Sequence, residues 1–484
     1  MRPGAAGGDI DLEAFRREGL RFVDWVVRYL GEPERYPVLS RLRPGDVTAA
    51  LPKRPPVGPE PIELLLPDVE RLIVPGLTHW NHPGFFAYFA NSSTAPAILG
   101  ELLSAAFNPN AMLWRTAPAA TELELVVLDW LRQMLGLPEK LFGVIQDTAS
   151  ASTLVALAAA REAVPGLNAR QRGLSGAPRL RMYASEQAHS SVEKAGIVLG
   201  IGREGFRAIR CDAEFRMDVG ALAQAIAEDR AAGLLPFAVT ATTGTTSTTA
   251  IDPVPAIADV CAREGLWLHV DAAYGGAAAV APELRFVLDG AERADSIVMN
   301  PHKWMFVPID LSVLYTRRPE VVKAAFSLVP DYLRTPEEDI APNLMDYGVS
   351  LGRRFRALKL WFVIRAFGVE GIADRIREHV RLAQLFRSWL ETDALFEVAA
   401  PSPLSVVCFR LRFAGVTAEE ADRRNEATAD AVNATGEAYL SATKLDRRTT
   451  LRLAVGNVRT EEHHVRRAYE LLREAGLRLG ACAA

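Results

Sequence analysis

Residues 296–308 read SIVMNPHKWMFVP, and the place of Lys303 in them decides how the rest of the chain is read. Four residues suited to a buried strand, Ser296 to Met299, end in Asn-Pro, a pair that stops one element and starts a turn or helix. A lysine then stands between His302 and Trp304, where a solvated surface charge has no reason to be. Such an amine marks either a turn at a strand end or a chemical task. Outward from it, short apolar runs that end in small or polar residues recur as GVIQ (143–146), LRMYAS (180–185), FAVTATTG (237–244), LWLHVDAAYG (266–275) and LSVLYT (311–316). Helix-patterned stretches lie between them. That alternation predicts an α/β fold around a mainly parallel sheet buried on both faces.

The chain has 484 residues, enough for two or three domains, and its 49% apolar and 24% charged residues are ordinary for a soluble protein. A net charge of −4 with both signs interspersed gives no footprint for nucleic acid or an anionic membrane surface, and no apolar run is long enough to span a bilayer. We therefore expect neither nucleic acid nor membrane as a partner. The opening MRPGAAGGDIDLEAF lacks the apolar core of a secretory signal, so a cytoplasmic location is expected. Cys211, Cys261, Cys408 and Cys482 are scattered, which predicts reduced thiols and argues against a disulfide framework or a metal site.

Residues 12–30 put Phe15, Phe22, Val23, Val26, Val27 and Leu30 at helical spacing, an apolar face in need of a partner. Residues 42–68 are crowded with proline and glycine and read as an extended connector. Residues 1–84 are thus expected to be a helical and extended segment that wraps another subunit, 85–355 the large domain and 356–484 a small α+β domain. The last follows from a long helix pattern (352–368), strand patterns at SVVCFRLRF (405–413) and TTLRLAVGN (449–457), and a closing helix at 461–476.

Ligands of such a sheet gather at the carboxyl ends of its strands. Ser150, His189, Thr246, Asp271, Asn300 and Lys303 all fall there. A lysine that forms an imine with an aldehyde cofactor, plus a carboxylate that keeps a pyridine nitrogen protonated, is the minimal requirement of pyridoxal phosphate chemistry. A strand-end aspartate alone more often caps a turn, but Asp271 and Lys303 together need two coincidences to be bland. DTASAST (147–153) brings Thr148 and Ser150 to a helix start, where backbone N–H groups favour a phosphate and where an ordinary Ser/Thr cap would look the same. His189 is placed either to stack on a cofactor ring or to be a structural histidine.

GVIQDTASASTLVALAAAR, SEQAHSSVEKAG, HVDAAYGG, NPHKW and GVSLGRRFRALKLWFVIRAFG, with PGLTHWNHPGFFAYF and TELELVVLDWL near the amino end, resemble the pyridoxal-phosphate-dependent group II amino-acid decarboxylases of the aromatic-L-amino-acid type. The resemblance covers nearly the whole chain. It implies the aspartate-aminotransferase-like architecture (fold type I) with a seven-stranded large domain, and a homodimer with an exchanged amino-terminal segment and shared active sites. It also implies roles. Lys303 would hold the cofactor, Asp271 pair with its ring nitrogen and His189 stack on the ring. Ala149, Ser150 and Asn300 would bind the phosphate, Thr246 and Ala273 lie beside the ring, and His302 adjoin the lysine. Tyr332, in SLVPDYLRTPEED, matches a tyrosine associated with protonating Cα; phenylalanine there goes with relatives that make aldehydes. Trp80, Tyr88 and Phe89 would meet the substrate side chain, and Gly352 would reach across the dimer and leave room for a large ring.

Asn91, Asn110 and Met112 depart from the residues usual in that pocket and leave open the choice among tryptophan, tyrosine, phenylalanine and dihydroxyphenylalanine. The pocket segments carry no basic cluster for a second carboxylate, which weighs against glutamate. The expected activity is decarboxylation of an aromatic amino acid to its amine. An aldehyde-forming relative and a non-catalytic dimeric scaffold are the alternatives.

Overall fold

The computed structural model describes residues 9–328, 337 and 340–482. Tyr332 lies outside the described residues. Seven strands form the large sheet: β1 (Phe142–Gln146), β2 (Leu180–Ser185), β3 (Phe206–Ile209), β4 (Leu235–Thr242), β5 (Trp267–Asp271), β6 (Ser296–Met299) and β7 (Ser312–Thr316). Their order is β1-β7-β6-β5-β4-β2-β3. Strands β2 to β6 pair in parallel, while β7 runs antiparallel to both β6 and β1. Two reversals cancel, so β1 points the same way as β2 to β6 and their six carboxyl ends share one edge. The six runs picked out in the sequence are all strands; β3, a short edge strand with only Ile209 buried, is additional.

Alternation along each strand splits the core. Leu268, Val270, Ile297 and Val313 face one layer of helices, and Trp267, Ala184, Ala238 and Leu314 face the other. In that second layer lies the helix Ala149–Glu162, whose run of buried alanines lets it approach the sheet closely. The helical run Ala357–Thr392 carries the chain from the large sheet to the small one and breaks at Gly368, whose φ of 65° no helix accommodates. Its first part presses on the helix Ala95–Phe107 at Gly100, where a Cβ would lie 2.8 Å from the Lys359 backbone. The small sheet has four antiparallel strands, β8 (Phe396–Val398), β9 (Val406–Leu411), β10 (Ser441–Leu445) and β11 (Arg448–Ala454), in the order β10-β11-β9-β8.

At the amino end the Asp11 carboxylate caps the helix Leu12–Gly31 by accepting from Ala14 N. That helix leaves Leu12, Phe15, Phe22, Val23 and Val27 exposed, Leu12 by 78%. The proline-rich stretch is less extended than its composition suggests: Asp46–Ala50 is a short helix, and helical turns run from Ile62 to Gly76. IELLLPDVERLIV repeats its apolar residues at helical spacing, which outweighs Pro67 in the first turn. Among the described residues, no helix is long and apolar enough to cross a membrane.

Candidate active site

The site forms on the shared carboxyl edge. Beyond β6, Pro301 opens a four-residue helix, Pro301–Trp304, that turns the chain back over the sheet. The Lys303 amine stands 5.2 Å from the centre of the Phe89 ring. Burial holds it below the usual lysine range; Asp271 pulls the other way, and the Arg452 cation adds to the lowering. Phe89 is itself fixed by a row of parallel rings. It stacks on Tyr274 (3.6 Å between centres), Tyr274 on Trp304 (4.6 Å), and Trp304 lies parallel to His379, to whose Nδ1 it donates at 2.9 Å. The lysine thus faces a surface anchored as far away as the helical run Ala357–Thr392.

Asp271 closes β5 and is 4% exposed. Its Oδ1 accepts from Ala273 N at 3.1 Å, and among the described residues Oδ2 has no protein donor. His189 follows β2. Its Nδ1 accepts from Ser191 N at 3.1 Å with Ser191 Oγ at 2.8 Å, which places the proton of the neutral ring on Nε2. Burial lowers its pKa against the pull of Asp271, and Lys303 lowers it further, so the three groups share one electrostatic environment. The residue as a whole is nonetheless exposed at this edge, so one side of the half-buried ring can still meet a ligand.

Thr148 has extended backbone at the start of the helix Ala149–Glu162, and its side chain does not cap it. The first N–H groups of that helix, with the exposed Ser150 hydroxyl, remain available to an anion. Asn300 is buried, its side-chain oxygen has no partner among the described residues, and its N–H donates to Ala273 O at 3.1 Å. Thr246 is exposed in the loop after β4, and Ala273 is buried next to Asp271. His302 is buried; its Nδ1 accepts from Leu311 N at 3.0 Å, and burial, reinforced by Lys303 and Lys359, pushes it down to about 4.

The aromatic residues of 80–89 divide into two places. Trp80 stacks on Phe85 at 4.3 Å and lies 6.0 Å from Tyr88, which meets Tyr439 of the small domain edge-on. Phe89 instead belongs to the ring row beside Lys303. Asn91 is partly buried just beyond it. Met112 and Gly352 form a separate group. Asn110 Oδ1 accepts from Arg353 N at 3.0 Å, Asn110 Nδ2 lies 3.4 Å from Met112 Sδ, and a Cβ on Gly352 would meet only Asn110, at 4.0 Å. Arg353 ties this group to the β1 edge through Ile145 O (2.9 Å) and the buried Glu124 (2.7 Å).

Arg452 of β11 escapes the sequence reading. It is buried, donates to Ala87 O at 2.7 Å and Ser247 O at 3.1 Å, and lies 4.8 Å from the Phe89 centre. Among the described residues no carboxylate pairs with it, and its Nη2 is unpartnered. A lone charge in the strand TTLRLAVGN on the face shared with Thr450 and Ala454 is its only signal, and an arginine in a strand ordinarily reads as surface. Away from this edge, Glu34, His463 and His464 bring ligand atoms within 4.8 Å of one another. His464 Nδ1, however, accepts from Glu461 N at 3.0 Å, which leaves the proton on Nε2 facing Glu34 and no lone pair for a metal there.

The groups at the sheet edge fit pyridoxal phosphate. They offer a sheltered amine of lowered basicity, a buried carboxylate with a free oxygen, an open helix amino terminus with an unsatisfied amide beside it, and an exposed imidazole face. The family described as the pyridoxal-dependent decarboxylase conserved domain matches residues 44–412. Tryptophan decarboxylase 2 of Oryza sativa subsp. japonica is 40% identical over 97% of each chain. Phenylacetaldehyde synthase of Arabidopsis thaliana is 39% identical over 96% of each. The crystal structure of Oryza sativa TDC with PLP and tryptamine superimposes with a TM-score of 0.94 at 39% identity, covering 98% of this chain and 99% of that one.

Proposed function

The chain belongs to the pyridoxal-dependent decarboxylase family, and on that premise we propose that it converts an aromatic L-amino acid to the corresponding amine and CO2. The observation that carries this reading is the meeting of Lys303, Asp271 and His189 at one sheet edge. Bound pyridoxal phosphate supplies an electron sink for the pair released when the bond from Cα to the carboxylate breaks. The chain's own residues supply the rest. Burial and the Arg452 cation lower the basicity of the Lys303 amine and so favour its neutral form, the form able to attack an aldehyde carbon. Asp271 sets a negative charge, sheltered from water, against the ring nitrogen. The His189 ring covers one face. Thr148, Ala149, Ser150 and Asn300 hold the phosphate, with Thr246 and Ala273 beside the ring. His302, its Nδ1 committed to the backbone, supports the lysine turn. Tyr332 delivers the proton to Cα.

An aromatic side chain as substrate is supported by the Trp80, Tyr88 and Tyr439 cluster, which presents ring faces and two hydroxyls but no basic group. Relatives named for tryptophan and tyrosine point the same way. The similarity to an aldehyde synthase supports the second reading, decarboxylation with oxidative deamination, which Tyr332 disfavours. We further propose a homodimer with shared active sites. The exposed apolar faces of the helices Leu12–Gly31 and Ala95–Phe107 support it, Leu99, Leu102 and Phe107 being exposed on the latter. Gly352, Met112 and Asn91 then shape the substrate pocket, Gly352 from across the interface. The domain boundaries at 84 and 355 and a cytoplasmic location belong to the same proposal; the four unpaired cysteines suit a reducing compartment.

The test is in two parts. Borohydride reduction followed by peptide mass spectrometry should find the cofactor on Lys303, and Lys303→Ala should abolish both that adduct and turnover. Comparison of kcat/KM should then rank tryptophan, tyrosine, phenylalanine and dihydroxyphenylalanine above glutamate. Capture at another lysine, or glutamate as the best substrate, would refute the respective part.

A further inference from the structure

Behind Asp271 the sheet carries a polar strip that the reaction as described does not use. Trp267, His269 and Asp271 alternate onto one face of β5, toward the helix Ala149–Glu162, while Leu268 and Val270 face the other layer. The register sets Ser296 opposite His269 on one side, and Thr240 and Thr242 opposite His269 and Asp271 on the other. Trp267 Nε1 and His269 Nδ1 each lie 2.9 Å from Ser296 Oγ. The indole N–H can only donate, so Ser296 Oγ accepts from it and has one proton of its own to place. Giving that proton to His269 Nδ1 leaves one group unsatisfied; the reverse tautomer leaves two, the serine proton and the Nε2 lone pair. The neutral ring therefore carries its hydrogen on Nε2. Among the described residues that atom is buried without a partner, as are Thr240 Oγ1, Thr242 Oγ1 and, from the helix Ala149–Glu162, Thr153 Oγ1. Unpaired buried polar atoms are expensive and uncommon, and here those of His269, Thr240 and Thr242 share the sheet face that carries the aspartate.

We propose that His269 is the positioning residue for Asp271: the Trp267–Ser296–His269 column fixes the imidazole so that its otherwise unpartnered Nε2 hydrogen, with the Thr240 and Thr242 hydroxyls, sets a polar backing on the same sheet face as the aspartate and keeps that carboxylate aimed at the ring nitrogen of the cofactor. The inference rests on the role given to Asp271 under the proposed function. A histidine suits the task only while it is neutral, and burial pushes His269 down to about 4 against the opposing pulls of Asp271 and the Ser296 backbone. The charged groups around the strip are these: Asp271 lies ahead with Lys303 and His189 beyond it, Asp252 accepts from Thr242 N at 2.8 Å, Asp295 accepts from Leu268 N at 2.9 Å, and Arg318 packs on the far end at Trp267, 5.3 Å from the ring centre. The buried residues of the helix above are all uncharged.

The test uses holoenzyme loaded with pyridoxal phosphate carrying 15N in its ring, whose chemical shift reads protonation of that nitrogen against pH independently of turnover. In the wild type the ring nitrogen should stay protonated through neutral pH. In His269→Phe it should lose the proton at least about one pH unit earlier, and the cofactor should dissociate about tenfold more readily. His269→Gln, whose amide donates from nearly the same place, should restore most of the wild-type profile, and Ser296→Ala should move it in the same direction as Phe by less. A purely structural histidine would lower the melting temperature and leave the 15N profile alone. A folded His269→Phe holoenzyme with the wild-type profile would overturn the proposal; should that variant fail to fold, an unchanged profile in Ser296→Ala overturns it equally. A wild-type ring nitrogen without a proton would instead refute the role of Asp271 itself.

Discussion

Replacing Arg452 by glutamine removes a buried charge while keeping an amide that can still donate toward Ala87 O or Ser247 O. Arg452 and the Lys303 amine both lie against the Phe89 ring, at 4.8 and 5.2 Å from its centre, so they are at most about 10 Å apart. With the effective dielectric of about 20 that suits protein sites, two unit charges at that distance repel by about 1.7 kcal/mol. The protonated lysine feels this repulsion and the neutral amine does not. Its removal should therefore reduce the neutral fraction about fifteenfold at any pH where most of the lysine is protonated. Capture of pyridoxal phosphate by the apoenzyme draws on the neutral amine, so its second-order rate should fall by about the same factor at neutral pH and recover as the pH rises. Arg452→Lys keeps the charge, loses the planar fork and separates the two effects. Stopped-flow absorbance of cofactor capture across pH is the assay. An Arg452→Gln profile that overlays the wild type, or an Arg452→Lys profile displaced as far as that of Gln, would refute the electrostatic role and leave Arg452 a mere brace between Ala87 and Ser247.

Three further outcomes are expected. Tyr332→Phe should divert flux from amine toward aldehyde, ammonia and peroxide; an unchanged product ratio would remove the tyrosine from proton delivery. Asp252→Asn should destabilise the fold by about 2–4 kcal/mol in urea titrations, because Asp252 accepts from both Met217 N (2.7 Å) and Thr242 N (2.8 Å) and one amide oxygen cannot serve both. Finally, His82, His269, His302 and His379 are each pushed by burial to about 4. Their stabilising contribution is intact above the unfolded value of about 6.5 and is lost as pH falls toward 4, since the unfolded chain binds the extra protons. Asp252, raised by burial to about 6, opposes this by one proton, leaving a net uptake of about three and a steepest slope of about 4 kcal/mol per pH unit. Melting temperatures that stay level between pH 7 and 5 would contradict the neutral burial of these rings.

The sheet was readable because its central strands are buried on both faces and so appear as unbroken apolar runs, and because Asn300 and Asp271 end such runs abruptly. The edges were harder to read. Only Ile209 of β3 is buried, and β10 alternates SATKL between exposed and partly buried positions, so neither stands out from a loop. The reversal of β7 has no local signature at all, since direction is set by the partner strand. Lys303, Asp271 and His189 could be picked out because their spacing from strand ends is local. Their mutual placement was not, and Arg452 of the small sheet reaches Phe89 beside Lys303 from more than a hundred residues later in the chain, as Tyr439, just before β10, reaches Tyr88. The division of Phe89 from Trp80 and Tyr88 likewise needed the ring row of Tyr274 and Trp304 to be seen. His269 lay inside LWLHVD as one more strand residue, and only the register with Ser296 and Thr240 gives it a task.

Product stoichiometry decides whether this chain turns an aromatic amino acid into its amine. Pyridoxal-phosphate-loaded protein would be incubated separately with tryptophan, tyrosine, phenylalanine and dihydroxyphenylalanine, and CO2, amine, aldehyde and peroxide followed together. One amine per CO2 from at least one of the four, with no peroxide, is the predicted result. Aldehyde and peroxide in place of amine, or no CO2 from any of them despite cofactor bound at Lys303, would contradict it.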